Sequence, residues 1–217
     1  MIRRTWKSRA RASLRLILVP AMLELVGCGS GTASSEKAAP ATASTADASL
    51  PSGLAVGESL DAFDSTLTDQ FGRAVTLASY HGHPMLLAMI YTRCPSVCPL
   101  LLKSLQRIEV DLPRETRERT WFVLVTLDPD HDLPDTLRAF ARSRDLNPAR
   151  WRLLHGNREV TRDLAAILDV KVRDDGEGAL AHSSNIYLLD GAGVIRHALV
   201  GSEADPSPLV AARMALP

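Results

Sequence analysis

Apolar residues gather in short, sharply bounded runs after residue 60, and their spacing switches between two periods. Met85–Tyr91 (MLLAMIY) and Trp121–Leu127 (WFVLVTL) are almost continuously apolar and end at turn-forming residues, as buried parallel strands do. Between them Leu101, Leu105, Ile108 and Leu112 recur at helical spacing until Pro113, which predicts a helix closed by a residue unable to continue it. Further on, Pro134–Ser143 predicts a helix with Leu137, Phe140 and Ala141 inward, and Trp151–Leu154 a short strand. Val160–Val170 predicts another helix, striped by Val160, Leu164, Ile167 and Leu168. Residues 63–68 and 71–77 read as an N-terminal hairpin. Residues 184–190 and 194–200 read as a second one around Gly191-Ala192-Gly193. Asp174–Leu180 reads as a flexible loop and Ser207–Leu216 as a last helix.

Strands alternating with helices, then an antiparallel hairpin and a closing helix, predict an α/β domain. The expected architecture is a thioredoxin-like, three-layer fold with an N-terminal hairpin and a sheet of mixed strand directions. In such sheets ligands gather at the carboxyl ends of the parallel strands. Cys94 and Cys98 follow the strand that ends at Tyr91.

The first 52 residues lack this patterning. Arg3, Arg4, Lys7, Arg9, Arg11 and Arg15 make a basic opening, and the apolar run Leu14–Val26 is interrupted by Arg15, Pro20 and Glu24. A bilayer span needs about 20 apolar residues, so residues 1–27 read as a secretion signal. The signal ends in Leu25-Val26-Gly27-Cys28, which is similar to the bacterial lipobox. That resemblance implies that Cys28 becomes the lipid-bearing first residue of a mature chain on the periplasmic side. More than one acyl chain would anchor it, as stable attachment requires. Gly29 is not the aspartate associated with inner-membrane retention, which leaves both membranes open, and Arg3-Arg4 loosely resembles a twin-arginine export signal. Residues 28–52 are rich in Ala, Ser, Thr, Gly and Pro and cannot bury enough apolar surface to pack. They read as a disordered tether, leaving residues 53–217 as one domain large enough for a good core.

The formal net charge of zero conceals an asymmetry: residues 1–27 carry six Lys/Arg against one acid, and the rest carries 19 against 24. A mildly acidic mature domain presents no basic stripe for nucleic acid. With Cys28 lipidated, Cys94 and Cys98 are the remaining cysteines. They make a redox-active or structural pair in a compartment that permits disulfides.

That pair lies in the run TRCPSVCPL. Four positions apart, the two thiols share one face of a helical turn. At a helix start, unpaired N–H groups and the positive dipole end favour thiolate over thiol. Two sulfurs and an imidazole form a small pocket suited to a soft ion, above all Cu(I). A helical turn also allows the Cα separation of a disulfide, so reversible or structural bridging stays open. A four-thiolate zinc site is excluded because the cysteines are too few. Among the histidines, His81 and His83 sit in a turn, His131 among acids, His155 at a strand end and His197 on a hairpin. His182 stands in a loop before the strand SNIYLLD, 84 residues beyond Cys98. In a thioredoxin-like sheet that loop can come near the thiols, and on local grounds a ligand role competes with that of a capping or surface histidine.

The runs YTRCPSVCP (91–99), VTLDPDHD (125–132) and AHSSNIYLLD (181–190), with FDSTLTDQFG (63–72) and the Gly82-x-Pro84 turn, resemble the SCO/SenC family over about residues 60–210. Members are membrane-tethered, thioredoxin-like copper proteins that help assemble the binuclear copper centre of cytochrome c oxidase. The resemblance implies that Cys94, Cys98 and His182 are copper ligands. It also implies that Asp128, Pro129 and Asp132 lie near the metal face, with Asp128 and Asp132 either positioning a site residue or capping the helix after Pro134. The implied activity is that of a chaperone for Cu(I), and for Cu(II) with added oxygen ligands. Its expected acceptor is the copper-accepting subunit of cytochrome c oxidase, with other periplasmic copper chaperones or thiol reductants as further partners. The same thiols suit a thiol–disulfide oxidoreductase that reduces the subunit's cysteines or serves periplasmic redox homeostasis. A peroxidase lacks its usual nucleophile context. Ser96 and Ala181 stand where acids are common in the family, which removes negative charge near the site.

Overall fold

The structure, a computed structural model, describes residues 56–174, 180–201 and 203–217, with side chains described outside 172–182. The signal, Cys28 and tether readings fall on residues outside these. Among the described residues the strands are β1 (Leu67–Asp69), β2 (Ala74–Val75), β3 (Met85–Ile90), β4 (Trp121–Thr126), β5 (Trp151–His155), β6 (Val172–Asp174), β7 (Leu180–His182), β8 (Asn185–Leu189) and β9 (Ile195–Val200). The α-helices are α1 (Val97–Asp111), α2 (Arg114–Glu118), α3 (Pro134–Ser143), α4 (Arg158–Ile167) and α5 (Ser207–Met214), and a short 3-10 helix spans Leu77–Tyr80.

Seven strands form one sheet in the order β2-β1-β5-β4-β3-β8-β9. The central three, β5, β4 and β3, run parallel. The strands beyond them on each side are antiparallel, so the predicted mixed sheet and both hairpins are present. Every residue of β3 is buried, as is every residue of β4 after Trp121. Both faces of these strands are therefore covered, which is why their sequences do not alternate. Trp151 stacks on Phe122 with ring centroids 4.7 Å apart. Leu105 and Ile108 of α1 are fully buried, and each such side chain contributes about 1.5–3 kcal/mol.

Local chemistry sets the element ends. Pro134 opens α3, where its fixed φ suits the first turn and its missing N–H costs nothing. Asn157 caps α4 by accepting a hydrogen bond from Val160 N–H at 2.8 Å. In the β8–β9 turn Asp190 Oδ1 accepts from Ala192 N–H and Val194 N–H, and Gly193 takes a φ of +77° that a side chain would resist. Arg213 of α5 is buried, yet donates to Thr120 Oγ1 at 2.7 Å and to the carbonyls of Thr116, Arg119 and Leu216. It ties the last helix to the turn before β4.

Two features depart from expectation. Helix α2 lies beyond Pro113, where no helix was predicted. The stretch read as a loop over 174–180 is flanked by strands, β6 and β7 pairing as an antiparallel ribbon with Val172 opposite His182 and Asp174 opposite Leu180, while residues 175–179 lie outside the described residues. The base of the ribbon is closed by Ser183 N–H donating to the Lys171 carbonyl and Lys171 N–H donating to Ser183 Oγ, both at 3.1 Å. Among the described residues no helix is long and apolar enough to cross a membrane.

Candidate functional site

After β3 the chain turns at Tyr91, whose carbonyl accepts from Cys94 N–H at 3.2 Å, and enters α1 at Val97. Cys94 therefore precedes the helix, and the expectation that both thiols share one helical face is corrected. The cause is Pro95, which disfavours helical backbone in the residue before it. Pro99 sits inside the first turn, where its ring is tolerated. Ser96 holds the N-cap position but makes no side-chain capping bond. Cys94 Sγ takes over that role, accepting from Cys98 N–H at 3.2 Å. Cys98 Sγ in turn accepts from Tyr91 N–H at 3.4 Å. Strand end, turn and helix start thus bring both sulfurs together, and both thiols are unbridged.

The two thiols differ electrostatically. Burial alone would raise the Cys94 pKa, but the backbone N–H groups of Cys98 and Ser96 outweigh it and hold the group below the ordinary thiol value. Burial dominates at Cys98 and pushes its thiol well upward. The Tyr91 N–H opposes this, while Cys94 and Asp132 add to it. A cavity of about 10 Å³ adjoins the sulfurs, lined by Tyr91, Thr92, Pro99, Leu102, Phe140 and Arg144. That is about the room for a single water and too little for an organic substrate.

The loop after β4 braces the thiol turn. Asp132 is fully buried and accepts from Thr92 N–H at 2.9 Å, from Thr126 Oγ1 at 2.7 Å, and from the Thr92 hydroxyl. Asp128 pairs with Arg93 at 2.6 Å, and His131 Nδ1 lies 2.8 Å from its other oxygen. Burial would raise the Asp128 carboxyl, but Arg93 and His131 hold it below the usual range. Neither aspartate caps α3, whose N-cap residue is Leu133, without a side-chain capping bond. Thr92, Arg93 and Thr126 were not among the residues singled out from sequence. A threonine ending the otherwise apolar strand β4 was the available signal, since a buried hydroxyl needs a partner.

His182 is the last residue of β7 rather than part of a loop, because the ribbon's backbone ladder extends to it. Its ring lies outside the described side chains. Among the described residues no group of three His, Cys, Asp or Glu side chains is placed to hold a metal ion. Of the remaining histidines, His155 Nε2 lies 3.0 Å from the Pro129 carbonyl and His81 Nε2 lies 3.4 Å from Asp61 Oδ1.

Comparison with known proteins adds an independent line. The family model described as SCO1/SenC matches residues 60–215. A protein of Stutzerimonas stutzeri, named there as a candidate copper-binding protein, is 30% identical over 134 residues, 60% of this chain and 64% of its own length. The chain thus spans just under two thirds of that relative. A SCO1 protein homolog of Bacillus subtilis is 26% identical over 144 residues, 65% of this chain and 74% of its own. Among solved structures, Bradyrhizobium japonicum ScoI with copper bound matches at a TM-score of 0.58 and 25% identity, covering 75% of this chain and 100% of that one. A SCO1/SenC family lipoprotein from Bacillus anthracis matches at 0.63 and 22%, covering 70% and 92%. The shared fold bears out the expected α/β, thioredoxin-like architecture.

Proposed function

The chain belongs to the SCO1/SenC family, and we propose that it is a copper chaperone. It takes up Cu(I) through Cys94, Cys98 and His182 and delivers it to the copper-accepting subunit of cytochrome c oxidase. A general role in copper and thiol redox handling follows from its relatives. The finer reading rests on one observation: two unbridged sulfurs meet at one helix terminus, beside an ion-sized cavity.

Each residue has a task in this reading. Cys94, whose ionised form is favoured and which is the less buried of the two, meets the incoming ion first. Cys98 supplies the second sulfur from within the first turn of α1. His182 completes a low-coordinate set, and added oxygen ligands accommodate Cu(II). A soft donor set of two sulfurs and one nitrogen suits this cargo. An open coordination edge lets an acceptor thiolate displace one ligand at a time, so no free ion is released. Asp132 positions the turn through Thr92, and Asp128 steadies Arg93 beside Cys94. The lipid on Cys28 and the tether of residues 28–52 hold the domain on the periplasmic side of a membrane.

Anaerobic copper titration of the reduced full chain, read by X-ray absorption, tests the ligand set. Two sulfur neighbours and one nitrogen neighbour per copper are expected. Coordination by sulfur alone would overturn it.

A second reading, thiol–disulfide exchange, is favoured by the inequality of the thiols. A Cys94 inclined to ionise beside a protonated, buried Cys98 is the arrangement of an attacking and a resolving thiol. The two activities share the same pair and are compatible.

A further inference from the structure

Besides the two thiols, the cavity beside the sulfurs has one ionisable amine-type side chain among its described lining residues, Arg144. This residue is the C-cap of α3. Its guanidinium carbon lies 5.5 Å from the centroid of the Phe140 ring, so the side chain folds back over a half-buried aromatic that lines the same cavity. Stacking of this kind orients a guanidinium while leaving its charge available to a second partner. The Arg144 carbonyl accepts from Gln106 Nε2 at 3.1 Å, which ties the end of α3 to α1, the helix that carries Cys98. Arg144 is exposed and forms no ion pair among the described residues. The other charges at the thiol turn are engaged: Arg93 with Asp128 at 2.6 Å, and Asp132 by the hydrogen bonds from Thr92 and Thr126. Asp145, next in the chain, is exposed and lines no part of the cavity. The uncompensated charge at the approach to the sulfurs is therefore that of Arg144. A fixed cation there does not draw in a copper ion; it draws in an anion.

We propose that Arg144 is a specificity-determining residue of the thiol pair, favouring partners whose reacting sulfur has a carboxylate close beside it. The inference rests on the thiol–disulfide exchange reading and names the chemistry of its partner. In that exchange the Cys94 thiolate attacks one sulfur of the partner's disulfide. A mixed disulfide forms and the partner's other sulfur leaves as thiolate. Cys98 then loses its proton to solvent and attacks the Cys94 sulfur, which closes the Cys94–Cys98 bond and releases the partner's second thiolate. Two electrons pass from the pair to the partner. Arg144 takes no part in these bonds. It pairs with the neighbouring carboxylate while the mixed disulfide forms, and Phe140 holds its guanidinium in place.

The test uses the metal-free, reduced full chain carrying Cys28→Ser, so that Cys94 and Cys98 alone report. Two aromatic disulfides serve as probes: dithiobis(nitrobenzoate), with a carboxylate on each ring, and uncharged dithiodipyridine. Stopped-flow absorbance reads the release of their thiols. Arg144→Gln should slow the nitrobenzoate probe about threefold, as loss of one exposed ion pair implies, and leave the pyridine probe unchanged. Arg144→Lys should restore most of the rate. Arg142→Gln removes the same charge from the same helix at a residue that lines a different cavity, and should affect neither probe. The gap between parent and Arg144→Gln should close at about 1 M salt, where the Debye length falls to about 3 Å. Equal slowing of both probes, an equal effect of Arg142→Gln, or an unchanged nitrobenzoate rate would each overturn the proposal while leaving exchange itself standing. Failure of the uncharged probe to yield the Cys94–Cys98 disulfide would overturn the exchange reading, and the proposal with it.

Discussion

The buried carboxylate of Asp132 accepts a hydrogen bond from the backbone N–H of Thr92 at 2.9 Å, joining loops that are 40 residues apart in the chain. It also accepts from the hydroxyls of Thr92 and Thr126. Asp132→Ala would leave three donors without their acceptor, the Thr126 hydroxyl buried and the Thr92 N–H and hydroxyl partly buried. We expect it to cost roughly 2–4 kcal/mol in urea unfolding and to weaken copper binding, with Asp132→Asn milder on both counts. A stability change below about 0.5 kcal/mol, as at ordinary surface sites, would contradict the bracing role.

Cys94 and Cys98 should react unequally. With iodoacetamide at neutral pH, peptide mass spectrometry should find Cys94 modified first. Its rate should rise with pH through a midpoint below that of an ordinary thiol, because the helix N–H groups favour its thiolate. Cys98, raised by burial, should lag throughout that range. Equal rates at the two positions would refute the assignment.

His182→Ala separates the two chemistries proposed for the thiol pair. Loss of one ligand should weaken Cu(I) binding, measured by competition with a chromophoric chelator, by more than the roughly 10–100-fold seen for residues that merely support a ligand. Disulfide cycling between Cys94 and Cys98 should continue. Undiminished copper affinity would remove His182 from the ligand set.

Acid stability offers a check far from the thiols. Burial alone would raise the Asp69 carboxyl, but the Arg73 side chain and the N–H groups of Arg73 and Phe71 hold it below its ordinary value. A carboxyl depressed in the folded state stabilises above its unfolded pKa of about 3.9, and that contribution is lost as pH falls through the folded value. Asp69→Asn should therefore unfold at lower urea than the parent at pH 7, and the two should converge in acid. A gap that stays constant down the pH series would show that ionisation of Asp69 is not the source.

The strands β3 and β4 and the helix α3 were legible because burial on both faces and a helical stripe leave strong periodic signatures. Pro134 even marked the first residue of α3. Helix α2 was not, because Arg114–Glu118 buries no residue and so carries no apolar stripe. The ribbon β6–β7 escaped because strands of three residues in a polar, Gly-containing stretch hold too little alternation to detect. At the site, the thiols announced themselves by residue type and spacing. Their brace did not: Thr92 and Thr126 are ordinary residues whose importance comes from a buried aspartate that reaches them only through folding. That Cys94 itself caps α1 depends on the backbone geometry around Pro95, which spacing alone does not encode.

In the proposed site, the inequality of the two thiols would make cargo uptake a proton-releasing event. A metal bonds to sulfur as thiolate, and at Cys98 the proton is still in place near neutrality, so an arriving ion has to evict it. On that reading, uptake should weaken as pH falls, and delivery to an acceptor would return the proton.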